Sequence, residues 1–275
     1  SRGLGDVYKR QVLGAPIEHS LSPVLHNAGY AAAGLADWEY TRMLCEADQL
    51  SRVVGEASDA FRGFSVTMPC KFAALEVADE VTERAREIGS ANTLTRVGGG
   101  WRADNTDCEG VVVALRKLLG ERSPQRAVLV GAGGTARAVM WALREIGCEQ
   151  VTIVNRSDRS GEYAELSNGM DVRFRSLEAD LAGVCMDADV LVSTVPADAL
   201  ASYASTLGHA PVFDVIYNPW PTPLATRAAS NGYPVVGGLS MLAGQSYAQF
   251  EQFTGVEAPR DAMRNSLLRH WEQTH

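Results

Sequence analysis

A lysine stands where the sequence predicts the end of a buried strand. In the stretch SVTMPCKFA, Ser65 to Ala73, an apolar run passes through Met68, Pro69 and Cys70 and is followed directly by Lys71. An ammonium in this position can donate a proton or stabilise a developing oxyanion. An isolated lysine can equally extend its amine to water along an apolar stem. The stretch by itself leaves both interpretations open.

Two hydroxyls precede the first predicted helix. Ser20 and Ser22 flank Leu21 in HSLSPVLHN, and the helix is expected to begin at Pro23. Ser22, directly before this proline, has the sequence of a favoured N-cap. Hydroxyls beside a helix N-terminus also suit a carboxylate, because free N–H groups favour anions there. The local pattern therefore predicts either an anion-binding pair or a simple cap.

Three further polar residues occupy positions with both structural and chemical interpretations. Asn92 lies in GSANTL, where it can be a turn residue, and Asp107 lies early in a predicted helix, where the helix dipole favours a carboxylate. Gln245 follows Met241 and Leu242 at helical spacing, so an amide interrupts a face that should be apolar. A buried amide requires hydrogen-bond partners, whereas a glutamine on a half-exposed edge does not.

A glycine-rich turn indicates a dinucleotide site. In AVLVGAGGTARAVMWALREIG an apolar strand runs into Gly131, Gly133 and Ala136, which fill the pattern G-x-G-x-x-G/A before a helix. A tight turn alone has the same glycines, but here a complete strand, helix and next strand surround it. The predicted cofactor residues of this turn are Gly131, Ala132, Gly133, Gly134 and Thr135.

The end of the next predicted strand indicates which dinucleotide is bound. An NAD enzyme usually places a carboxylate there for the ribose 2′-hydroxyl, but this chain has Asn155, Arg156 and Ser157. Asparagine and arginine donate hydrogen bonds to a 2′-phosphate, so the cofactor is predicted to be NADP. Asp158 keeps NAD open, and the arginines can also be solvated loop charges.

The elements that position these residues have the pattern of an α/β protein. Short apolar runs alternate with amphipathic helical segments, which predicts mostly parallel sheets. We expect a strand stub at 12–13, a helix over 73–88, and a hairpin over 92–105. Later strands are expected at 127–130, 151–155, 190–194, 212–217 and 234–236, and a helical segment from about Leu239 to the end.

The predicted organisation is two α/β domains with a cleft between them. The substrate-binding or catalytic domain is expected to comprise residues 12–107 and 239–275, with a mostly parallel sheet. A Rossmann-type NADP-binding domain is expected over 108–238. Residues 1–11, SRGLGDVYKRQ, match neither a helix nor a strand period, and Asp6 to Gln11 resemble a translated sequencing adaptor, so residues 1–11 are predicted to be non-native.

Composition limits the classes of function. The 275 residues are 46% hydrophobic and 21% charged, with a net charge of −8, which is typical of a globular protein and unfavourable for binding nucleic acid. No run approaches a membrane span and no signal-peptide pattern opens the sequence, so we expect a cytoplasmic protein without membrane partners. The five cysteines have no metal-site spacing, so free thiols and no metal are expected. Monomer and homodimer both stay open.

Seven segments together resemble the shikimate dehydrogenase family, in an order that extends over nearly the whole chain from Val12. They are GAPIEHSLSPVLHN, SVTMPCK, IGSANTL, DNTDCEG, VGAGGTARA, VIYNPWPTPL and GLSMLAGQ. The resemblance implies an NADP-dependent oxidoreductase that reversibly reduces 3-dehydroshikimate to shikimate, in the shikimate pathway of chorismate and aromatic amino acid biosynthesis. Its small-molecule partner would be shikimate or 3-dehydroshikimate.

The resemblance also implies roles for individual residues. Lys71 and Asp107 would be the catalytic pair. The substrate would be bound by Ser20, Ser22, Thr67, Lys71, Asn92, Asp107, Tyr217 and Gln245. The cofactor residues would be those of the glycine turn together with Asn155, Arg156, Ser157 and Gly238, whose carbonyl would lie near the nicotinamide.

The chain departs from the family pattern at two positions. Ser65 stands where the family commonly has asparagine, so Ser65 is not predicted as a ligand. Ser160 stands where the family commonly has a second arginine in the NADP loop, which weakens the prediction that Arg159 clamps the phosphate. Two alternatives follow: a quinate/shikimate dehydrogenase of broader specificity that uses NAD, and a non-catalytic NADP-binding sensor. The sensor should have lost the lysine or the aspartate, and this chain has both.

Overall fold

The chain forms two compact units, described over residues 7–274 by a computed structural model. The first unit contains the residues up to Thr106 together with those from Gln245 onward, and the second contains Asp107–Gly244. The prediction of an α/β fold with mostly parallel sheets is confirmed. Within the described residues no helix is long and apolar enough to cross a membrane. All five cysteines are buried thiols.

The first unit is built on a six-stranded mixed sheet. Its strands are ordered β2-β1-β3-β5-β6-β4, with β1 parallel to β2 and β3, and with β5 antiparallel to β3 and β6. The predicted hairpin is confirmed as β5 and β6. The elements in chain order are β1 (Tyr8–Gly14), α1 (Ser22–Ala32), β2 (Trp38–Leu44), α2 (Leu50–Gly55), β3 (Phe61–Val66), α3 (Ala73–Val77), β4 (Glu80–Val81), α4 (Glu83–Ile88), β5 (Thr93–Val97) and β6 (Gly100–Asp104).

The single helix predicted over residues 73–88 is wrong. The structure divides this segment into α3, the short edge strand β4 and α4. Asp79 accepts the Trp101 N–H at 2.8 Å, β4 pairs with β6, and the Thr82 hydroxyl caps α4 by accepting the Ala85 N–H at 3.2 Å. Contacts with a strand distant in sequence therefore override the local helical period.

The first strand begins four residues before the predicted stub. Residues from Tyr8 pair with β2 and β3. The interpretation that residues 1–11 have no strand pattern is therefore wrong for Tyr8 to Gln11. Residues 1–6 lie outside the described residues. Arg10 is fully buried here, with its guanidinium 3.4 Å from the centre of the Trp38 ring. A buried arginine in a strand breaks the apolar pattern, which is why sequence periodicity did not reveal this part of β1.

The second unit has the doubly wound topology expected of a Rossmann domain. Its six parallel strands are ordered β12-β11-β10-β7-β8-β9. Strands β8 and β9 follow β7 on one side, and β10 to β12 then follow on the other side, so the order of strand addition reverses between β7 and β10. Ligands of such sheets bind beyond the carboxyl ends of the strands at this reversal. The elements are α5 (Asp107–Leu119), β7 (Arg126–Val130), α6 (Gly134–Glu145), β8 (Gln150–Asn155), α7 (Ala164–Ser167), β9 (Asp171–Ser176), α8 (Ala182–Met186), β10 (Val190–Ser193), α9 (Ala204–Leu207), β11 (Val212–Asp214), α10 (Pro223–Ser230) and β12 (Val235–Val236).

Two helices complete the chain. They are α11 (Leu239–Thr254), which begins in the second unit and ends in the first, and α12 (Arg260–Thr274). The predicted closing helical segment from Leu239 is confirmed, with a break between the helices at residues 255–259. The predicted strand over 212–217 is shorter, because the chain turns after Asp214, whose carboxylate accepts the Ile216 N–H at 3.1 Å.

Candidate functional site

The turn that carries Lys71 lies beside Asn92 in the first unit. The Val66 N–H donates to the main-chain oxygen of Asn92 at 2.7 Å, and the Ala91 N–H donates to the main-chain oxygen of Lys71 at 2.9 Å. Thr67 is held from the other side, since its N–H donates to Leu13 at 2.8 Å. Backbone pairing thus brings three predicted site residues, Thr67, Lys71 and Asn92, to one end of the sheet.

The side chain of Asn92 is held in one orientation by its neighbours. Its Oδ1 accepts the Thr106 N–H at 2.7 Å and the Thr93 hydroxyl at 2.8 Å. Its Nδ2 donates to Gln245 Oε1 at 3.2 Å and to the Thr106 hydroxyl at 3.0 Å. Both Asn92 and Gln245 are buried, so the amide predicted from helical spacing is inside the fold with partners.

Ser20 and Ser22 lie together at the start of α1, but Ser22 is not the N-cap. The helix begins at Ser22 with Leu21 in the cap position, and no side chain caps it. The Ser22 N–H donates to the Ser20 hydroxyl at 3.4 Å. The buried Ser22 hydroxyl instead hydrogen-bonds that of Tyr40. Tertiary contact with β2 therefore replaces the predicted local cap.

Sequence reasoning missed a set of buried polar residues behind these positions. The Tyr40 hydroxyl donates to the Ser65 hydroxyl, which donates to Gln249 Oε1 at 2.8 Å. Burial raises the pKa of Tyr40, with smaller lowering effects from Ser65 and Ser22, so the phenol stays protonated. Gln249 was detectable, because it follows Gln245 by four residues on the same predicted apolar face.

His26 lies next to this set as a buried aromatic residue. Its ring stacks on Tyr40 with 4.2 Å between centroids and 2° between planes. Burial lowers the pKa of His26 to about 3, opposed by a smaller raising effect of Gln249, so the imidazole is neutral at physiological pH. This neutral, packed ring makes His26 a buried residue of the α1 face rather than an acid–base group.

The glycine turn of the second unit is formed by close approach of main chain and side chains. Gly131 has φ of +103°, and a Cβ at this position would lie 2.4 Å from Thr194 Oγ1 and 2.8 Å from Val195 Cγ1. Helix α6 begins at Gly134, with Gly133 in the cap position and without a side-chain cap. Its first N–H groups are therefore available to an anion, as the sequence motif predicts.

The two arginines of the loop after β8 have different surroundings. Asn155 Nδ2 donates to the Ser157 main-chain oxygen at 3.0 Å, and Arg156 is exposed. Arg159 is bound by both carboxylate oxygens of Glu162 at 2.6 Å. The weakened prediction that Arg159 clamps a phosphate thus has a physical basis, since the Arg159 charge is already paired with Glu162.

The other predicted residues lie at the carboxyl end of the second sheet and on α5. Tyr217 is half-buried beyond β11, and Gly238 precedes α11 with its N–H donating to Ile216 at 3.1 Å. A Cβ on Gly238 would lie 2.0 Å from the Val215 carbonyl oxygen, so only glycine fits. Asp107 is buried at the first position of α5, in the second unit, whereas Lys71 belongs to the first.

Each unit therefore groups a different part of the predicted set. The first unit groups hydroxyl, amide and ammonium side chains, which suit a small polyhydroxylated carboxylate. The second unit groups main-chain donors and glycines at the reversal of a doubly wound sheet, which suit a dinucleotide pyrophosphate.

Comparison with known proteins finds three family matches along the chain. Residues 12–94 match the family described as shikimate dehydrogenase substrate binding domain. Residues 113–208 match shikimate / quinate 5-dehydrogenase, and residues 238–268 match shikimate 5'-dehydrogenase C-terminal domain. The chain is 32% identical to Shikimate dehydrogenase (NADP(+)) from Synechocystis, over 96% of each chain.

Solved structures extend the likeness to three dimensions. Shikimate dehydrogenase of Mycobacterium tuberculosis is 48% identical, with a TM-score of 0.89 over 95% of this chain and 99% of the other. Shikimate 5-dehydrogenase from Thermus thermophilus, solved in complex with NADP(H) and shikimate, is 31% identical, with a TM-score of 0.79 over 95% of this chain and 98% of the other.

Proposed function

The chain belongs to the shikimate dehydrogenase family of oxidoreductases, and from this premise we propose that it catalyses the reversible NADP-dependent reduction of 3-dehydroshikimate to shikimate. The observation that carries the proposal is the full-length likeness to shikimate dehydrogenases. This likeness spans both the unit that holds Lys71 and the unit that holds the glycine turn.

The glycine turn fits the pyrophosphate of NADP. Gly131 occupies a backbone region that disfavours side chains, and a Cβ would fill the space beside Thr194. We assign the pyrophosphate to the N–H groups at the start of α6, and the 2′-phosphate to Asn155 and Arg156. When bound, NADPH supplies the hydride of the reduction. No carboxylate occupies the end of β8, which favours NADP over NAD.

We assign the proton chemistry to Lys71. Reduction of a ketone builds negative charge on its oxygen, and an ammonium meets that charge by electrostatic stabilisation and by donating a proton. In the oxidative direction the amine accepts the proton from the substrate hydroxyl. Asp107 is proposed as the partner that orients this ammonium. Thr67, Asn92 and Gln245 are proposed to bind ring hydroxyls, while Ser20, Ser22 and Tyr217 are proposed to bind the carboxylate.

The experiment that tests the function crosses two substrates with two cofactors. Purified protein is assayed with shikimate or quinate, each with NADP or NAD, by the absorbance of the reduced nicotinamide. We expect shikimate with NADP to give by far the highest kcat/KM. Comparable turnover of quinate with NAD would instead identify a broader quinate/shikimate dehydrogenase. No turnover of any pair, together with tight NADP binding in calorimetry, would identify a sensor.

Several finer predictions accompany this function. The two domains are proposed to enclose a cleft that closes on ligands, which small-angle scattering with and without NADP plus shikimate would test. A cytoplasmic location, the lack of nucleic-acid or membrane partners, and a monomeric or homodimeric state stay predictions. The non-native origin of residues 1–11 also stays a prediction.

A further inference from the structure

One further buried polar side chain of the first unit lies behind the residues proposed to bind the substrate and hydrogen-bonds them. Gln249 lies on α11, one helical turn after Gln245, and is fully buried. A carboxamide offers two N–H donors and an oxygen acceptor, and burying these groups without partners is costly. The position of Gln249 in the interior is therefore explained only by the bonds it makes.

Those bonds converge on Asn92. The Gln249 nitrogen donates to the Asn92 main-chain oxygen at 3.0 Å and to the Thr93 hydroxyl at 2.9 Å. Thr93 in turn donates to Asn92 Oδ1 at 2.8 Å. Gln249 thus binds the main chain of Asn92 directly and contacts its side chain through one hydroxyl.

This arrangement fixes which way the Asn92 amide faces. Its Oδ1 accepts from Thr93 and from the Thr106 N–H, so the reverse orientation would place the amide NH2 against these donors. With the oxygen fixed, the nitrogen is directed to Gln245 Oε1 at 3.2 Å. The orientation of two proposed substrate ligands therefore depends on a donor supplied by Gln249.

The opposite end of the Gln249 carboxamide leads to the proposed carboxylate-binding residues. Its oxygen accepts the Ser65 hydroxyl at 2.8 Å, and Ser65 accepts the Tyr40 hydroxyl, which contacts Ser22. One buried amide consequently connects Ser22 with Asn92. Connected buried polar networks of this kind act as units, because loss of one member leaves its neighbours unsatisfied.

We propose that Gln249 is a positioning residue for the substrate, which sets the orientation of Asn92 and Gln245 without touching the ligand; this inference rests on the proposed function. Leucine has a similar volume at this site but removes both donors, so the Asn92 main-chain oxygen keeps the Val66 N–H and loses the bond from Gln249, and the Thr93 hydroxyl loses the donor that directs its own hydrogen to Asn92 Oδ1. The effect of its loss is therefore misorientation of the substrate ligands in a folded protein.

The test uses Gln249→Leu with Gln252→Leu as a matched control. Gln252 lies on the same helix, but its amide donates to Asp104 at 2.6 Å and not to the Asn92 group. We expect Gln249→Leu to raise the KM for shikimate about tenfold or more and to leave the KM for NADP within about twofold. The control is expected to change the melting temperature and leave both KM values near those of the parent.

A double-mutant cycle separates positioning from general loosening of the core. Asn92→Ala alone raises the KM for shikimate, and adding Gln249→Leu is expected to raise it no further, because the residue that Gln249 orients is gone. If the two substitutions together raise the KM for shikimate by the product of their separate effects, the inference is overturned. An unchanged KM in a folded Gln249→Leu protein that has only lost thermal stability would overturn it as well.

The test also covers two further outcomes, a Gln249→Leu protein that does not fold and a parent protein that does not turn over shikimate. If Gln249→Leu does not fold, Thr93→Val carries the test: it keeps the shape of the buried residue, removes the relay hydroxyl, and is expected to raise the same KM several-fold. An unchanged KM in Thr93→Val then overturns the inference. If the parent does not turn over shikimate with NADP, the proposed function is overturned and this inference with it. If the parent is active and the KM of the folded variant is unchanged, only the inference is overturned.

Discussion

The two units present their predicted sites in opposite ways. Around Asn92 the first unit buries hydroxyl and amide side chains that bind one another, with Gln249 and Thr93 wholly enclosed. The second unit surrounds its turn with aliphatic strands and exposes main chain at Gly133. The first site depends on particular side chains being present, and the second depends on side chains being absent.

This contrast follows from what each unit is proposed to recognise. A small polyhydroxylated acid offers several hydroxyls in fixed directions, which only directed side chains can match. A pyrophosphate offers diffuse charge, which a row of main-chain N–H groups meets equally well. Substitutions that remove atoms should therefore damage the first unit most, and substitutions that add atoms should damage the second most.

The largest expected effect comes from removing the ammonium. Lys71→Ala should lower kcat by about 10³-fold, because both proton donation and charge stabilisation are lost, while substrate binding weakens modestly. Steady-state kinetics in both directions measure this. Lys117→Ala, which removes an exposed lysine bonded to Ser240 at 3.2 Å, is the matched control and should retain kcat. A kcat within a few-fold of the parent in Lys71→Ala would contradict the assignment.

Adding one methyl group should have different effects on stability at two glycines of the turn. Gly131→Ala should lower the free energy of unfolding by about 3 kcal/mol, because φ is +103° and Thr194 Oγ1 would lie 2.4 Å from the new Cβ. Among the described residues, no atom beyond the chain neighbours of Gly133 lies within 4 Å of a Cβ built there, so Gly133→Ala should leave stability unchanged. Denaturant titration measures both, and equal stabilities of the two variants would refute the steric explanation. We expect calorimetry to show weaker NADP binding in both.

Acid should destabilise the first unit through its buried imidazole. The pKa of His26 is lowered to about 3 by burial, whereas the unfolded residue titrates near 6.5. As pH falls below 6.5 the unfolded chain binds the proton first, so stability is lost from that point down towards pH 3, amounting to about 2 kcal/mol between about pH 6.5 and 4.5.

A variant isolates this contribution. His26→Phe keeps the stack on Tyr40 and should remove that part of the acid sensitivity, as measured by urea unfolding at the two pH values. His19→Asn, at an exposed position, is the control and should behave like the parent. Equal losses of stability in the parent and His26→Phe would show that His26 does not titrate on unfolding.

The smallest expected effect tests an unsatisfied polar group of the first unit. Arg10 Nη2 donates to Phe253 at 2.9 Å, but its Nε and Nη1 have no hydrogen-bond partner among the described residues. Burial lowers the pKa of Arg10 to about 9. Arg10→Met should therefore stabilise the fold by about 1 kcal/mol, a rise of roughly 3 °C in Tm by calorimetry. A fall in Tm would mean that contact with the Trp38 ring outweighs desolvation.

The second unit was more predictable from sequence than the first. Its strands are continuous aliphatic runs and its glycines mark one turn, so local pattern and fold agree at Gly131 and along β7 and β8. In the first unit the decisive contacts join residues distant in sequence, such as Ser65 with Gln249, and no periodicity reports such pairs. Asn92 and Gln245 were predicted, but the residues that hold them were not.

The errors have the same origin. Ser22 has the local sequence of an N-cap, one of its two interpretations, yet its hydroxyl bonds Tyr40 on a neighbouring strand. Residues 73–88 have a helical period, yet Asp79 accepts the Trp101 N–H of the hairpin and the Thr82 hydroxyl donates to Asp104 at the end of the same hairpin. In each case a hydrogen bond to another element competes with the local one and wins, which a single sequence does not reveal.

Helix α11 carries Gln245 and Gln249 on one continuous axis within the first unit. The two residues are four positions apart, so about one helical turn, roughly 6 Å along the axis, separates the residue assigned to the substrate from the residue that positions it. Inserting a single residue between them would rotate one amide by about 100° around the axis relative to the other. The spacing between these two glutamines is therefore an angular setting, which a change of residue type between them leaves intact and an insertion or a deletion does not.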